Sequence, residues 1–333
     1  MIGKKKQVRR SASLNNTISS QKRDLMQVTV TIPATSANLG PGFDCLGLAL
    51  SLYHSVTFTI TDHPKLTIVA SGEDAHKVPT DESNLVWQCA RLIFDRFTEY
   101  PTGLHIEQKN AIPIGSGLGS SSTAVLAGLF GANALLSNPL TRAEVLQIAT
   151  GLEGHPDNVA PAVHGGLILG VKQEDELLIE QIEMPQMDVV VVLPDFDLPT
   201  TEARAALPTT LSLKDAIFNT SHIALLIRAL QTGNYDLLAI AMQDRFHQPH
   251  RIPLITGMAE AMEAAQEAGA AAVALSGAGP SLIAFSPDNH EQIGQAAAAA
   301  FKQKGLRSRR WILSVDTRGT AVSVNLKRKN TKV

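Results

Sequence analysis

A glycine-rich segment at residues 113–123, with the sequence PIGSGLGSSST, separates two stretches of different character. Residues 104–108 before it read as a short strand, and residues 123–136 after it form an apolar run long enough for a buried helix. Glycine lets the backbone turn tightly and approach a ligand closely. Because a helix start offers free N–H groups and a positive dipole potential, this strand–loop–helix unit predicts an anion site, with phosphate as the expected guest.

The loop fits neither of the two commonest nucleotide-binding patterns. A Walker A loop would end in Gly-Lys-Ser or Gly-Lys-Thr, which this loop does not, and a dinucleotide fingerprint needs a glycine where Ser120 stands. A tight structural turn is the alternative to a phosphate site. The run of hydroxyls from Ser120 to Thr123 favours the phosphate site, because these groups can bind phosphate oxygens or a magnesium ion.

Three further polar segments carry reactive types of side chain. Residues 33–44, PATSANLGPGFD, follow the first predicted strand. Residues 153–158, EGHPDN, place two carboxylates, an imidazole and an amide together at a predicted helix end. Such a density is uncommon in a surface loop, although a plain loop remains the alternative. Residues 276–281, SGAGPS, join two apolar runs and, taken alone, predict a hairpin turn.

The first half of the remaining chain mixes strand and helix patterns. Apolar residues alternate with polar ones over residues 28–32 and again over residues 56–60, which predicts an antiparallel sheet. Ser83 is the predicted N-cap of a helix whose apolar face lies within residues 85–97.

Further signals divide the chain into two domains. Thr141 and Glu144 predict a capping box and a helix that follows it. A Pro-rich stretch at residues 194–208 is the predicted boundary between domains at residues 26–193 and 194–326. Beyond it, helices are predicted at residues 212–231, 235–245, 254–268 and 290–304, and strands at residues 271–275, 282–285, 311–315 and 321–324. Helices and strands in separate runs indicate an α+β fold.

The charge distribution argues against nucleic acid as a partner of the main body. Residues 1–25 carry seven Lys or Arg residues and one Asp, so the rest of this chain of net charge −2 is acidic. The basic segment shows no apolar period, and we expect a disordered tail at residues 1–25. One interpretation makes it a transit peptide or nucleic-acid arm. The other makes it a dispensable tail, or an extension upstream of a true start at Met26.

Cysteine content and hydropathy indicate a soluble, cytoplasmic protein. Cys45 and Cys89 are too few for a disulfide framework, and they form no Cys-x-x-Cys motif. No apolar run in the sequence approaches the roughly 18 residues that cross a bilayer. We therefore expect no membrane partner. A homodimer is a possible assembly.

These four segments, in their order along the chain, resemble one family of small-molecule kinases, named after galactokinase, homoserine kinase, mevalonate kinase and phosphomevalonate kinase (GHMP kinases). The resemblance spans about residues 28–324, and Pro-x-x-x-Gly-Leu-Gly-Ser-Ser is its most specific motif. Four stretches look in particular like the homoserine kinase branch, at residues 35–44, 153–162, 200–208 and 247–251. The resemblance implies an N-terminal domain like the second domain of ribosomal protein S5 and a ferredoxin-like C-terminal domain, with ATP and its acceptor between them.

The same resemblance implies roles for individual residues. ATP would be bound by Pro113, Ile114, Gly115, Ser116, Gly117, Leu118, Gly119, Ser120, Ser121, Ser122, Thr123 and, at its adenine, Asn84. Mg²⁺ would be held by Ser121, or its neighbour Ser120, and by Glu153. The acceptor would be bound by Asn38, Asp44, His155, Asp157, Asn158, Thr200, Arg204 and Arg251. The catalytic group would comprise Glu153, Asp157 and Asn158, with Asp157 acting either as a base or as a partner of an ammonium group.

The implied reaction is ATP-dependent phosphorylation of a small metabolite that carries a hydroxyl group. An amino acid needs anionic partners for its ammonium group and cationic forks for its carboxylate, and the implied pocket has both. The resemblance therefore implies L-homoserine as the acceptor and O-phospho-L-homoserine as the product, a step of threonine biosynthesis. A kinase of the mevalonate or shikimate type and a non-catalytic homologue are the alternatives.

Overall fold

The structure is a computed structural model that describes residues 25–174 and 176–327. The basic tail expected at residues 1–25 lies outside the described residues apart from Leu25, which begins the first strand. Eleven strands occur in the described ranges: β1 (Leu25–Ala37), β2 (Leu46–Thr61), β3 (Leu66–Gly72), β4 (Gly103–Asn110), β5 (Leu167–Gln173), β6 (Glu176–Ile182), β7 (Asp188–Pro194), β8 (Ala272–Leu275), β9 (Leu282–Phe285), β10 (Ser308–Ser314) and β11 (Ala321–Lys327). Ten α-helices occur in the same ranges: α1 (Leu85–Phe97), α2 (Ser120–Leu135), α3 (Arg142–Glu153), α4 (Val159–His164), α5 (Thr200–Ala205), α6 (Leu213–Thr232), α7 (Tyr235–Ala241), α8 (Gln248–Arg251), α9 (Met258–Glu267) and α10 (His290–Gln303).

Seven strands form the first sheet. Their order is β11-β1-β2-β4-β3, with β5 paired to the start of β2 and β6 paired to β5. Neighbouring strands are antiparallel except β3 and β4, which are parallel. Val28 and Val30 of β1 are fully buried and pair with Phe58 and Val56 of β2, which are also fully buried. The predicted antiparallel sheet is confirmed, and the alternating apolar residues face its core.

The second sheet has the order β10-β7-β9-β8, and all its neighbouring strands are antiparallel. With α9 before β8 and α10 before β10, its elements follow the order βαββαβ, which is the ferredoxin-like pattern. The expectation of a ferredoxin-like unit is confirmed. Helices α5 to α8 are inserted between β7 and α9, and they carry several of the predicted site residues.

The two sheets do not divide the chain at the Pro-rich stretch of residues 194–208. A boundary at residue 194 would leave β7 in the first domain, but β7 pairs with β9 and β10 of the second sheet. The same boundary would leave β11 in the second domain, but β11 pairs with β1. A Pro-rich stretch marks a loop, and this local pattern does not show which sheet the preceding strand joins. The chain therefore passes from one sheet to the other twice.

Side-chain caps fix the starts of two predicted helices. Thr141 and Glu144 form the predicted capping box at α3. The prediction of Ser83 as the N-cap of α1 is wrong, because Asn84 holds that position and its Oδ1 accepts a hydrogen bond from the backbone N–H three residues on, at 3.2 Å. Ser83 bonds instead to the carboxylate of Asp81. Helix α1 therefore begins one residue later than expected.

Three hydrophobic clusters hold the layers together. The first lies between the first sheet and helices α1 to α4, and the third lies between the second sheet and helices α9 and α10. The middle cluster combines residues of both sheets with α6 and α7. Because both sheets contribute to it, they share one continuous core. Within the described residues, no helix is long and apolar enough to cross a bilayer.

Helix α2 passes so close to β2 that the contact requires glycine at position 131. A Cβ at Gly131 would lie 2.1 Å from the ring of Phe58, which is fully buried. In an open helix, Gly→Ala stabilises by up to about 1 kcal/mol. Here we expect Gly131→Ala to lower the free energy of unfolding by about 1–3 kcal/mol, because the ring must move within a close-packed core. Urea denaturation measures the change.

Gly151→Ala on α3 is the matched control. No atom lies within 4 Å of the position that its Cβ would take, and Gly151 is exposed. We expect this variant to raise the free energy of unfolding by about 0.5–1 kcal/mol. A shift of the same sign in both variants would contradict the explanation by close approach.

Candidate active site

The glycine-rich loop connects the end of β4 to the start of α2. Gly115, Gly117 and Gly119 have left-handed backbones, with φ of 70°, 78° and 71°. Gly119 is the N-cap of α2 and supplies no side-chain hydrogen bond, so no N-cap side chain occupies the backbone N–H groups of the first turn. The loop has the backbone conformation that the sequence predicts for an anion site.

The turn between β8 and β9, residues 276–281, packs against this loop. A Cβ at Gly117 would lie 2.3 Å from the carbonyl oxygen of Ser276. Ser276 Oγ donates to the carbonyl oxygen of Gly117 at 2.8 Å, and the N–H of Ser281 donates to the carbonyl oxygen of Ser116 at 3.3 Å. The segment that alone predicts a hairpin is a hairpin, and it also supports the glycine-rich loop.

Glu153, the last residue of α3, faces two hydroxyl groups at the start of α2. Ser121 Oγ donates to Glu153 Oε1 at 2.9 Å, and Ser122 Oγ donates to Glu153 Oε2 at 2.7 Å. Carboxylate and hydroxyl oxygens are hard donors of the kind that Mg²⁺ prefers. The group therefore offers the kind of ligands that a magnesium ion takes, and it lies next to the glycine-rich loop.

Asp44 and Arg204 form a bidentate ion pair in the same cleft. Arg204 donates to the two carboxylate oxygens of Asp44, at 3.0 Å from Nη1 and 2.8 Å from Nη2. This hydrogen bonding raises the pKa of Arg204 above its ordinary value. The backbone N–H of Asp44 donates to Asn38 Oδ1 at 3.0 Å, and Asn38 Nδ2 donates to the carbonyl oxygen of Gly277 at 2.8 Å. Asn38 thus ties the loop after β1 to the second sheet.

Arg251, at the end of α8, is a buried cation with 1% of its surface exposed. Its Nε donates to the carbonyl oxygen of Ala203 and its Nη1 to that of Gly277, each at 3.3 Å. Burial lowers the pKa of Arg251 below its ordinary value, and the charge of Arg204 lowers it further. The two predicted cations of the acceptor pocket are therefore near neighbours.

His155 and Asp157 form a short hydrogen bond between Nδ1 and Oδ1. This bond raises the pKa of His155 above its ordinary value, and burial opposes the shift. Asp157 therefore lies against an imidazole that holds a proton more readily than free histidine. Asn158 Oδ1 accepts a hydrogen bond from Thr35 Oγ1 at 2.8 Å, which fixes the amide with Nδ2 3.5 Å from Asp157 Oδ1.

Most of the predicted site residues line one cleft of about 300 Å³. They are Asn38, Asp44, Gly115, Ser116, Gly117, Gly119, Ser120, Ser121, Ser122, Glu153, His155, Asp157, Asn158, Thr200, Arg204 and Arg251. Pro113, Leu118 and Thr123 of the predicted loop are buried and do not line it. Leu118 packs in the middle cluster, and Thr123 Oγ1 donates to the carbonyl oxygen of Ser120 at 2.8 Å. Leu118 and Thr123 therefore hold the loop in place from within.

A second cavity, of about 280 Å³, adjoins the cleft at Gly115, Ser120 and Ser121. Its walls are mostly apolar and include Val78, Pro79, Leu85, Val86, Ile114 and Ala124. A planar, largely apolar ring fits such walls, and the position beside the loop suits the base of a nucleotide.

Asn84, the predicted adenine contact, lines this second cavity but has its polar atoms engaged in the protein. Its Oδ1 caps α1 and also accepts a hydrogen bond from Gln108 Nε2 at 3.1 Å. Its Nδ2 donates to the carbonyl oxygen of Pro79 at 2.7 Å. Asn84 therefore shapes the cavity as a helix cap, a role that the motif resemblance does not distinguish from base binding.

His54 of β2 lines the same cavity and is not among the predicted site residues. It is 4% exposed, and its Nδ1 lies 3.3 Å from Thr123 Oγ1. Burial lowers the pKa of His54 to about 4, with the side chain of Gln108 opposing the shift. The imidazole is therefore neutral at pH 7. A histidine inside an alternating strand gives no sequence signal of this position.

Three further residues outside the predicted set shape the acceptor side. The ring of Phe43 lies 5.4 Å from the guanidinium of Arg204 and 5.2 Å from that of Arg251. His247 stacks on Phe43 with ring centres 5.2 Å apart. The buried carboxylate of Asp244 accepts hydrogen bonds from backbone N–H groups at the start of α8. Phe43 and His247 lie inside the motif segments, so the sequence could have singled them out as site residues. Asp244 lies outside these segments.

Comparison with known proteins identifies the family. Residues 84–166 match the model of the GHMP kinases N terminal domain, and residues 226–303 match that of the GHMP kinases C terminal domain. A homoserine kinase of Moorella thermoacetica is 44% identical over 279 residues, which cover 84% of this chain and 94% of the relative. A homoserine kinase of Synechococcus sp. is 45% identical over 300 residues, which cover 89% and 98%. The chain belongs to the GHMP kinase family.

Solved structures agree with this assignment. The homoserine kinase of Cytophaga hutchinsonii superposes on this GHMP kinase with a TM-score of 0.80 at 30% identity, over 92% of this chain and 100% of the other. A mevalonate kinase of L. major, in complex with R-mevalonate, has a TM-score of 0.66 at 17% identity and shows a shared fold alone. The expected two-domain GHMP kinase fold is confirmed, and the protein is a kinase with ATP as its co-substrate.

Buried His54 predicts a pH dependence of the stability of this GHMP kinase. Its pKa is about 4 in the folded protein and about 6.5 in an unfolded chain. Between these values the unfolded chain binds the proton first, so stability falls as the pH drops, by on the order of 3 kcal/mol in full. In the parent, the free energy of unfolding should therefore be lower at pH 4.5 than at pH 7. We expect this drop to be smaller in His54→Gln, because the contribution of the imidazole is gone. An unchanged difference would contradict a buried neutral imidazole.

Proposed function

We propose that this GHMP kinase is a homoserine kinase. It would transfer the γ-phosphoryl group of ATP to the side-chain hydroxyl of L-homoserine, giving O-phospho-L-homoserine and ADP in threonine biosynthesis. Relatives named homoserine kinase, at 44% and 45% identity over most of both chains, support the proposal. The chemistry of the cleft supports it independently.

The observation that carries the substrate assignment is the presence of both charge signs in one small cleft. Arg204 and Arg251 offer cationic partners for a carboxylate, and Asp44 and Asp157 offer anionic partners for an ammonium group. An acid without nitrogen, such as mevalonate, would leave a carboxylate of the cleft without a counter-charge. The set of charges therefore favours an amino acid over the mevalonate and shikimate alternatives.

The phosphate loop and the second cavity would divide ATP between them. Backbone N–H groups at the start of α2 would bind the phosphates, as helix N-termini commonly do. The apolar walls formed by Leu85 and Val86 would bind the adenine. The shared lining at Gly115 and Ser120 lets one nucleotide reach from the second cavity into the cleft.

We propose Ser121 and Glu153 as ligands of Mg²⁺, with Ser120 as the alternative hydroxyl. Ser121 Oγ and Glu153 Oε1 already lie 2.9 Å apart, so they fit an ion that takes oxygen ligands and keeps several waters. When bound, the ion neutralises phosphate charge as it develops during transfer.

Asp157 fits the role of ammonium partner better than that of base. Its Oδ1 is already engaged in a hydrogen bond with Nδ1 of His155, and this bond raises the pKa of His155 above its ordinary value. Phosphoryl transfer through a loose transition state needs little prior deprotonation of the hydroxyl. Asn158, fixed by Thr35, would orient that hydroxyl. The phosphorus–oxygen bond to ADP breaks, the bond to the acceptor oxygen forms, and the hydroxyl proton passes to a phosphoryl oxygen.

A non-catalytic homologue is the alternative from a different class. A protein that only binds metabolites would have no use for a hydroxyl–carboxylate group beside the phosphate loop, so Ser121 and Glu153 disfavour it. Residence in the cytoplasm and assembly as a homodimer remain predictions.

A competition assay tests the substrate. The protein is incubated with Mg²⁺, ATP, homoserine, serine, mevalonate and shikimate, and products are identified by mass. We expect homoserine to exceed serine by at least about 100-fold in kcat/KM, because the serine hydroxyl is one carbon closer and a misplacement of about 1 Å costs that factor. Mevalonate should be poorer by about 10⁴. Preferential phosphorylation of mevalonate or shikimate would refute homoserine, and no transfer at all would favour the non-catalytic homologue.

Glu153→Gln tests the metal site. The substitution keeps the shape and one acceptor oxygen but removes the charge, so turnover should fall by at least about 10–100-fold and recover in part at high Mg²⁺. Glu144→Gln, at the other end of α3, is the matched control, because Gln also completes a capping box. If Glu153→Gln turns over as fast as Glu144→Gln at limiting Mg²⁺, Glu153 is not a ligand of the metal.

A further inference from the structure

The Asp44–Arg204 ion pair joins two side chains that the proposed function assigns to opposite ends of the acceptor. The carboxylate accepts two hydrogen bonds from the guanidinium, at 3.0 and 2.8 Å. The side chains are 33% and 44% exposed, and both line the cleft. A ligand that enters the cleft therefore meets two groups that already satisfy each other.

We infer that this ion pair occupies the acceptor pocket at rest and that a zwitterionic acceptor binds by exchange. The ammonium group of the ligand replaces Arg204 at Asp44, and its carboxylate replaces Asp44 at Arg204. One ion pair within the protein becomes two between protein and ligand, and no covalent bond changes. The inference rests on the proposed function, because it takes an amino acid as the acceptor.

Exchange requires both charged groups to stay in place after they separate. The ring of Phe43 lies 5.4 Å from the guanidinium of Arg204 and 5.2 Å from that of Arg251, so each cation has a cation–π contact with the same ring. Asp44 is held through its backbone, whose N–H donates to Asn38 Oδ1 at 3.0 Å. Neither side chain depends on the other alone for its position.

Selectivity for zwitterions follows from the number of charges. A zwitterion gives each group a new partner. A ligand with a carboxylate alone must displace Asp44 from Arg204 and leave Asp44 without a counter-charge, and a ligand with an amine alone leaves Arg204 unpaired. Because the resting pair is partly exposed, it is weak enough for the matched ligand to open. The pocket therefore disfavours singly charged ligands, because each of them would leave one charged side chain of the protein unpaired.

Titration calorimetry at pH 6 tests the exchange with three ligands. They are homoserine, 4-hydroxybutanoate, which lacks the ammonium group, and 3-aminopropan-1-ol, which lacks the carboxylate. Asp44→Asn frees Arg204 and keeps a residue type that tolerates the left-handed backbone at this position, where φ is 58°. We expect this variant to bind 4-hydroxybutanoate at least about tenfold more tightly than the parent and to bind homoserine more weakly.

Asp157→Asn is the matched control, because it removes a carboxylate from the same cleft but leaves the Asp44–Arg204 pair intact. We expect its affinity for 4-hydroxybutanoate to rise by less than about threefold. An equal gain in both variants would show a general charge effect and overturn the exchange.

Arg204→Gln supplies the reciprocal measurement and keeps the inference testable if Asp44→Asn does not fold. By freeing Asp44 it should tighten the binding of 3-aminopropan-1-ol by at least about tenfold. The exchange is wrong if the parent already binds each singly charged ligand as tightly as the corresponding variant. The proposed function fails separately, if the parent does not phosphorylate homoserine, and that assay involves neither variant.

Discussion

Hydrogen bonds between three loops set the geometry on which the active site depends. The N–H of Gly277 donates to the carbonyl oxygen of Ala37 at 3.0 Å, and Asn38 Nδ2 returns a bond to the carbonyl oxygen of Gly277 at 2.8 Å. Ser276 Oγ donates to the carbonyl oxygen of Gly117 at 2.8 Å. Buried backbone groups must find partners, so the loop after β1, the glycine-rich loop and the turn after β8 specify one another's positions. The groups that we propose for acceptor binding and for phosphate binding thereby share one frame.

The fold was predictable from the sequence where its signals are local. The capping box of α3 and the alternation in β1 and β2 each lie within a few residues, and the structure confirms them. The sheet that β7 joins depends on partners far along the chain, so an apolar run and a following Pro-rich stretch could not reveal it. Ser83 and Asn84 are both good cap residues, and the contacts of Asn84 with Gln108 and Pro79 belong to the tertiary structure. Strands β3 and β6 bury few side chains and gave little pattern.

Membership of the site was more predictable than its internal arrangement. The motif resemblance selected residues that the fold brings into one cleft, although they come from loops after β1 and β4 and from helices as far along the chain as α5 and α8. It could not separate Leu118, which packs in the core, from its glycine neighbours, which line the cleft. The pairing of Asp44 with Arg204 joins positions 160 residues apart, and no spacing rule links them. The cation–π contacts of both guanidiniums with Phe43 are likewise a product of the fold.

Arg251 shows why an anionic ligand suits this fold. Backbone carbonyls of Ala203 and Gly277 accept hydrogen bonds from its Nε and Nη1, but dipoles do not neutralise a buried charge, and burial accordingly lowers its pKa. Neighbouring Arg204 adds repulsion of like charge, which the carboxylates of Asp44 and Asp157 offset. A carboxylate bound to both guanidiniums would remove the penalty at its source, so part of the binding free energy is already stored in the unliganded protein. Lysine at position 251 would give up its proton more readily under the same burial, whereas the high intrinsic pKa of arginine keeps the charge that we propose for binding the acceptor.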